Sequence, residues 1–227
     1  MRTDILHVGA GELTYEIRNI VNVGEKLQKL GTKVYWENIG DPIAKGEEIP
    51  KWMKQVVSDL VMEDATYGYC PTRGMLATRE FLAARTNKRG GAQIGPDDII
   101  FFNGLGDAIS KVFGLLRPTA RVVVPSPSYT THSSAEAAHA GDRPVTYWLN
   151  PNNYWYPDLD DLEKRIKYNP AVAGILIINP DNPTGVRQLT FYARQSLLAI
   201  IGVEDIKSSF SEVIANQLLD IFVIFYN

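Results

Sequence analysis

The chain is poor in several things at once. It has one cysteine in 227 residues, Cys70, which excludes an internal disulfide framework and any Cys-rich zinc site. Its three histidines, His7, His132 and His139, show no metal-ligand spacing, so no metal centre is expected. Neither sign of charge dominates: 23 basic against 26 acidic residues give a formal charge of −3, without the basic footprint of a nucleic-acid-binding protein. No apolar run reaches the ~20 residues of a membrane span. The first residues lack the charged and apolar regions of a signal peptide. The expected address is the cytoplasm, with no membrane partner.

What is present suits a soluble globular protein, with 45% hydrophobic and 22% charged residues. The length allows one large domain or one and a half. Helix and strand patterns alternate, which predicts an α/β fold with a largely parallel sheet. "IRNIVNVGEKLQKLG" has helical spacing and stops at Gly31. "KVYWENIGDP" reads as a short strand running into a turn. "PKWMKQVVSDLVME" and "MLATREFLAARTNKRGG" read as helices, the second closed by Gly90 and Gly91. Strand–helix units follow: "DDIIFFNG" then "DAISKVFGLL", "ARVVVPSPSY" then "THSSAEAAHAG", "RPVTYWLN" then "PDLDDLEKRIKYN", and last "VAGILIINP". The uninterrupted apolar run in "ARVVVPSPSY" is that of a strand covered on both faces.

Four stretches carry candidate chemistry. In "FFNGLGDAIS", glycines at a strand–helix junction let backbone N–H groups approach an anion at the positive end of a helix, and a phosphate fits there; a plain tight turn is the competing reading. In "VVVPSPSYTTH", Tyr129 follows a buried strand, where open α/β sheets bind ligands, and can cover a flat ring or simply pack. In "ATYGYCPTRGML", Tyr67 and Tyr69 lie in a turn-rich loop, as phosphate donors or as surface tyrosines. In "NPDNPTG", Asn182 offers its amide at a strand end while Pro180 and Pro183 hold the loop extended, although Asn-Pro pairs also make plain turns.

In this order the four motifs, with "IRNI", the "IGDP" turn and "YPDLDDLEKRI", resemble the class I and II aminotransferases, the pyridoxal-phosphate enzymes of the aspartate aminotransferase fold. The resemblance runs from about Ile17 to Val186. It implies a three-layer α/β/α large domain with a mostly parallel sheet, pyridoxal 5'-phosphate as cofactor, and a cytoplasmic homodimer with shared sites. Residues 1–45 would be an N-terminal segment contributing to a small domain or dimer arm. Residues 46–186 would be the N-terminal part of the cofactor-binding domain, and 187–227 an atypical tail. By resemblance Gly104, Leu105 and Gly106 cradle the cofactor phosphate, Tyr129 stacks on the pyridine ring and Asn182 bonds its phenolic oxygen. Tyr69 reaches the phosphate of the partner subunit's cofactor, and Gly40 lies beside the substrate. The implied substrates are an α-amino acid and a 2-oxo acid.

The tail departs from the family pattern. An Asp that pairs with the pyridine nitrogen, and a Tyr three residues on, would fall near Phe210 and Val213. "LLAIIGVED" reads as a strand that comes too soon, and "LLDIFVIFYN" as one that comes late. No Ser-x-x-Lys motif supplies a Schiff-base lysine: in "SSFSE" Glu212 stands at the lysine position, and Lys207 precedes the serines. The Arg that clamps a substrate carboxylate has no counterpart. A frameshift, a truncated or alternative product, and an incompletely determined sequence all remain open as the origin of the tail. Taken as complete, the chain is expected to leave a sheet edge exposed. Three functions stay open: an aminotransferase, a catalytically inactive remnant or dimer partner of this fold, and a lyase or synthase of the same superfamily.

Overall fold

The structure, a computed structural model, describes residues 6–12, 16–37, 40–89, 93–187 and 220–225. The chain divides into two compact units, Tyr15–Met75 and a larger one made of Met1–Thr14 with Leu76–Asn227.

The smaller unit holds two amphipathic helices. Helix α1 (Glu16–Lys29) carries Lys26 and Lys29 in its last turn, where the helix dipole is negative, and Gly31 at φ +88° ends it. The Trp36 ring lies against Gly24, where any Cβ would stand 2.6 Å from the indole. Helix α2 (Lys51–Val61) follows Pro50 and buries none of its residues. The strand expected in "KVYWENIGDP" does not form. Residues 32–37 carry no regular structure, and Asp41 instead closes a turn by accepting from Ile43 and Ala44 N–H at 3.0 and 3.2 Å. A strand is a pairing, and this segment has no ladder partner among the described residues.

The larger unit is built on a five-stranded sheet. Helix α3 (Leu76–Asn87) precedes it. The Asn87 amide exchanges two 2.9 Å hydrogen bonds with the Ile94 backbone, and buried Arg79 donates to the Pro96 carbonyl at 2.8 Å and pairs with Asp97 at 3.1 Å. The second expected strand, "DDIIFFNG", is also absent: a 3-10 turn at Pro96–Asp98 leads into residues 99–102, which carry no regular structure and no ladder among the described residues. Helix α4 (Leu105–Gly114) comes next, then strand β1 (Arg121–Ser126), helix α5 (Thr130–Ala140) and strand β2 (Thr146–Asn150). Gly141 ends α5 in the left-handed region, as its sequence suggests. Short β3 (Tyr156–Pro157), helix α6 (Leu159–Lys167), β4 (Val172–Asn179) and β5 (Asp220–Phe225) complete the order. In α6 the Asp158 side chain caps the N-terminus through Asp161 N–H at 3.0 Å, with acidic residues early and basic ones late.

The sheet order is β3-β2-β1-β4-β5. The three central strands β2, β1 and β4 are parallel, and the two outer ones, β3 and β5, pair antiparallel. Strand β5 lies along β4, in register from Gly174 opposite Phe225 to Asn179 opposite Asp220, and is an outer strand of the sheet. The caps expected at Gly90 and Gly91, the "LLAIIGVED" strand and the positions of Lys207, Phe210, Glu212 and Val213 lie outside the described residues.

Alternation along the strands sends side chains to two cores. On one face Val122, Val124, Leu176 and Ile178 meet Ile109 and Phe113 of α4, with Ala135 of α5 packed beside them. On the other Val123, Tyr147, Leu149, Ile175 and Ile177 meet Leu162 of α6. Each fully buried aliphatic side chain contributes on the order of 2 kcal/mol. Arg121 and fully buried Glu136 tie β1 to α5 with two bonds of 2.6 and 3.0 Å.

Candidate cofactor site

Topology assembles the site. The crossover from β1 to β2 runs through α5 on one face, and the return from β2 to β4 runs through α6 on the other. Strand order reverses at β1, and open α/β sheets bind ligands at the carboxyl ends of strands beside such a reversal. Tyr129 leaves the carboxyl end of β1, and Asn182 that of its parallel neighbour β4. Helix α4 runs back toward the start of β1, so its N-terminus, with Gly104, faces the same edge.

At α4 the backbone is shaped by glycine. Gly104 is the N-cap at φ +83°, a conformation that side chains with a Cβ avoid, and open space surrounds the position of a Cβ there. No side chain caps the helix at this residue. Asp107 folds back instead onto the Asn103 N–H at 3.1 Å, which fixes the turn from outside. The exposed N–H groups at Gly104, Leu105 and Gly106 stand at the positive end of a ten-residue helix. A Cβ on Gly106 would lie 4.0 Å from Thr131 Cγ2, so this turn borders the first turn of α5. An open, glycine-lined helix start of this kind fits a phosphate.

Half-buried Tyr129 is the N-cap residue of α5. Its ring meets His132 edge-on, with centroids 5.8 Å apart and planes at 77°. His132 is fully buried, and neither ring nitrogen has a hydrogen-bond partner among the described residues; the Thr130 hydroxyl beside it is likewise buried without one. Burial lowers the His132 pKa to about 4, which keeps the imidazole neutral. No role for His132 was legible in the sequence. The available signal was its place three residues after Tyr129 on a helix, which sets both on one face.

On β4 the "NPDNPTG" loop is closed by Asp181, a residue that sequence reasoning passed over. Asp181 is buried, and its Oδ2 accepts from the Thr184 N–H at 3.1 Å and the Thr184 hydroxyl at 2.6 Å. Its own N–H donates to the Val186 carbonyl, and its carbonyl accepts from Gly185 N–H, each at 2.8 Å. The Asp-x-x-Thr spacing is the signal for such a side-chain-closed turn. Asn182 stands exposed on this loop between cis Asn179-Pro180 and the cis peptide to Pro183. Behind it, fully buried Tyr147 donates to the Leu176 carbonyl at 3.0 Å. Burial first, and the Asp181 charge second, hold the Tyr147 phenol well above its ordinary range, so it stays protonated.

The larger unit thus brings Gly104, Leu105, Gly106, Tyr129 and Asn182 to one edge. Gly40 and Tyr69 belong to the smaller unit. Gly40 is exposed beside the Asp41 turn, and Tyr69 is fully exposed ahead of the tight turn that Gly74 N–H closes onto the Pro71 carbonyl at 2.7 Å.

A mostly parallel sheet between α4 with α5 and α6 matches part of the large domain of the pyridoxal-phosphate aminotransferases. The chain belongs to the class I and II aminotransferases, whose family model matches residues 38–188. It is 66% identical over 185 residues to an uncharacterized aminotransferase of Methanocaldococcus jannaschii, covering 82% of this chain and 43% of that protein. It is 31% identical over 192 residues to the glutamate-pyruvate aminotransferase AlaA of Escherichia coli, covering 83% and 45%. Alanine aminotransferase from Pyrococcus furiosus superposes with a TM-score of 0.74 at 30% identity, covering 88% of this chain and 49% of that one. The chain spans less than half the length of these curated relatives. Among the described residues, no helix is long and apolar enough to cross a membrane.

Proposed function

We propose that the protein is a pyridoxal-phosphate-dependent aminotransferase that passes an amino group between an α-amino acid and a 2-oxo acid. The observation that carries this reading is the convergence of the Gly104 turn, Tyr129 and Asn182 on one sheet edge. Residues 46–186 then supply the N-terminal part of the cofactor-binding domain, and 1–45 contribute to a small domain or dimer arm. Bound there, the cofactor supplies an electron sink for the electron pair left at a substrate Cα.

The chain's own residues have separable tasks. The N–H groups at Gly104, Leu105 and Gly106 hold the phosphate through the helix dipole and hydrogen bonds. Tyr129 covers one face of the ring and keeps water from it. Asn182 donates its amide to the phenolic oxygen and fixes the rotation of the ring. Gly40 leaves room for substrate beside the backbone. Exposed Tyr69 reaches the phosphate of the partner subunit's cofactor in a cytoplasmic homodimer. Glutamate with pyruvate, giving alanine, is the substrate pair we favour, supported by the names of its relatives, the Escherichia coli glutamate-pyruvate aminotransferase and the Pyrococcus alanine aminotransferase.

Titration of the chain with pyridoxal 5'-phosphate, followed by cofactor fluorescence, tests the reading. Saturable binding that weakens in Tyr129→Leu and Asn182→Ala is expected; its absence would sink the proposal. Alanine formation from glutamate and pyruvate tests the substrate pair.

A second reading is favoured by one observation, the absence of any Ser-x-x-Lys in the sequence. On it, the chain binds the cofactor without covalent attachment and acts as an inactive partner. Borohydride reduction followed by mass measurement decides between the two: a stable adduct on this chain excludes the second.

A further inference from the structure

The Asn182 amide has work to do at the sheet edge, yet its own side chain is exposed and bonded to no described residue. Its aim has to come from the backbone that carries it. Most of the hydrogen bonds that hold that backbone run to one residue, and a longer one joins Val186 N–H to the Thr184 hydroxyl at 3.4 Å. Asp181 uses its carboxylate, its N–H and its carbonyl together, toward Thr184, Val186 and Gly185. Four hydrogen bonds from one buried residue close the loop around the Asn182-Pro183 step. Both prolines lack an N–H, so neither can add a backbone donor to the closure. The Thr184 hydroxyl bond, at 2.6 Å, is the shortest of the four.

We propose that Asp181 is a positioning residue that aims the Asn182 amide at the phenolic oxygen of the cofactor. The proposal rests on the cofactor reading of Asn182 given above. Asp181 touches neither cofactor nor substrate; it acts through the loop. An acceptor at this position is required, and the carboxylate shape meets it, so Asn can substitute where Ala cannot. A residue that merely stabilises the fold would lower stability without singling out the contact made by Asn182.

The test uses the 227-residue chain and pyridoxal 5'-phosphate as the probe. Asn182→Ala is expected to weaken binding about tenfold, the loss of one hydrogen bond to an ionised oxygen. Asp181→Ala should weaken it by a similar factor, Asp181→Asn by no more than about twofold, and Thr184→Val by an intermediate amount. The double variant Asp181→Ala with Asn182→Ala should be no weaker than Asn182→Ala alone, because both changes remove one contact. Amide exchange without cofactor adds a second readout: the Thr184 N–H should exchange about tenfold faster or more in Asp181→Ala and return to its original rate in Asp181→Asn. Losses that multiply in the double variant, or an unchanged Thr184 exchange rate, overturn the positioning role while leaving the cofactor site intact. Binding that Asn182→Ala does not affect, or no binding by the unsubstituted chain, overturns the cofactor reading of Asn182 and this inference with it.

Discussion

Lowering the pH should destabilise this protein through a single buried imidazole. His132 sits in the first turn of α5, fully buried, edge-on to Tyr129, with neither nitrogen bonded. Burial lowers its pKa from 6.5 to about 4. The unfolded chain keeps the ordinary value, near 6.5. Above that pH both states are neutral and the stability is fully present. Below it the unfolded chain takes up a proton that the fold refuses, and stability falls by about 1.4 kcal/mol per pH unit until about pH 4. From pH 7.5 to 5.0 the loss is about 2 kcal/mol, and across the whole window about 3 kcal/mol. His132→Phe isolates the effect, because Phe keeps an aromatic edge toward Tyr129 and does not titrate. Urea unfolding of both proteins at pH 7.5 and 5.0 gives the comparison, with all other titrating groups shared. The unsubstituted chain should lose about 2 kcal/mol more than the variant over this range. Equal losses would refute the reasoning, since they would mean that His132 is protonated in the fold or reaches a partner.

Other consequences are as direct. Glu136→Gln should cost roughly 3 kcal/mol in denaturant unfolding, because it leaves the Arg121 guanidinium without its buried counter-charge; a cost under about 1 kcal/mol would mean that the pair is solvated. Gly104→Val should weaken pyridoxal 5'-phosphate binding at least about tenfold, since it forces a β-branched residue to φ +83° and places methyl groups before the helix N-terminus; unchanged affinity in the fluorescence titration would move the phosphate elsewhere. Tyr129→Phe should bind the cofactor within about twofold of the unsubstituted chain and Tyr129→Leu about fivefold more weakly, if ring stacking is the contribution. Gly9→Ala would push a methyl group into the Ala137 carbonyl at the end of α5. Limited proteolysis should then cut within residues 6–12 faster than in the parent, and equal rates would show that this segment docks another way.

Local signals in the sequence went far. The period of 3.6 in "IRNIVNVGEKLQKLG" and "PKWMKQVVSDLVME" marked α1 and α2, and glycines at positions 31 and 141 marked helix ends that do adopt positive φ. A continuous apolar run marked β1 as a strand covered on both faces, as its burial shows, and β4 proves equally buried. The glycine turn before α4 and the Tyr129 exit from β1 were legible because each depends on a few residues adjacent in the chain. Two expected strands failed for the same reason in each case. "KVYWENIGDP" and "DDIIFFNG" have strand composition, but a strand forms only where another backbone offers a ladder, and composition does not report that.

By itself, then, the sequence determined the helices and the buried strands, the parallel α/β character, the family, and the residues whose chemistry suits a phosphate and a flat ring. Those properties are written in periodicity, glycine placement and residue type, all of them local along the chain. The tertiary structure alone decided which strand ends share an edge, that β5 runs antiparallel along β4, and that His132 and Asp181 are buried. Burial and pairing depend on segments distant in sequence. A histidine becomes neutral, or an aspartate becomes the closure of a loop, only when the rest of the fold removes water from around it.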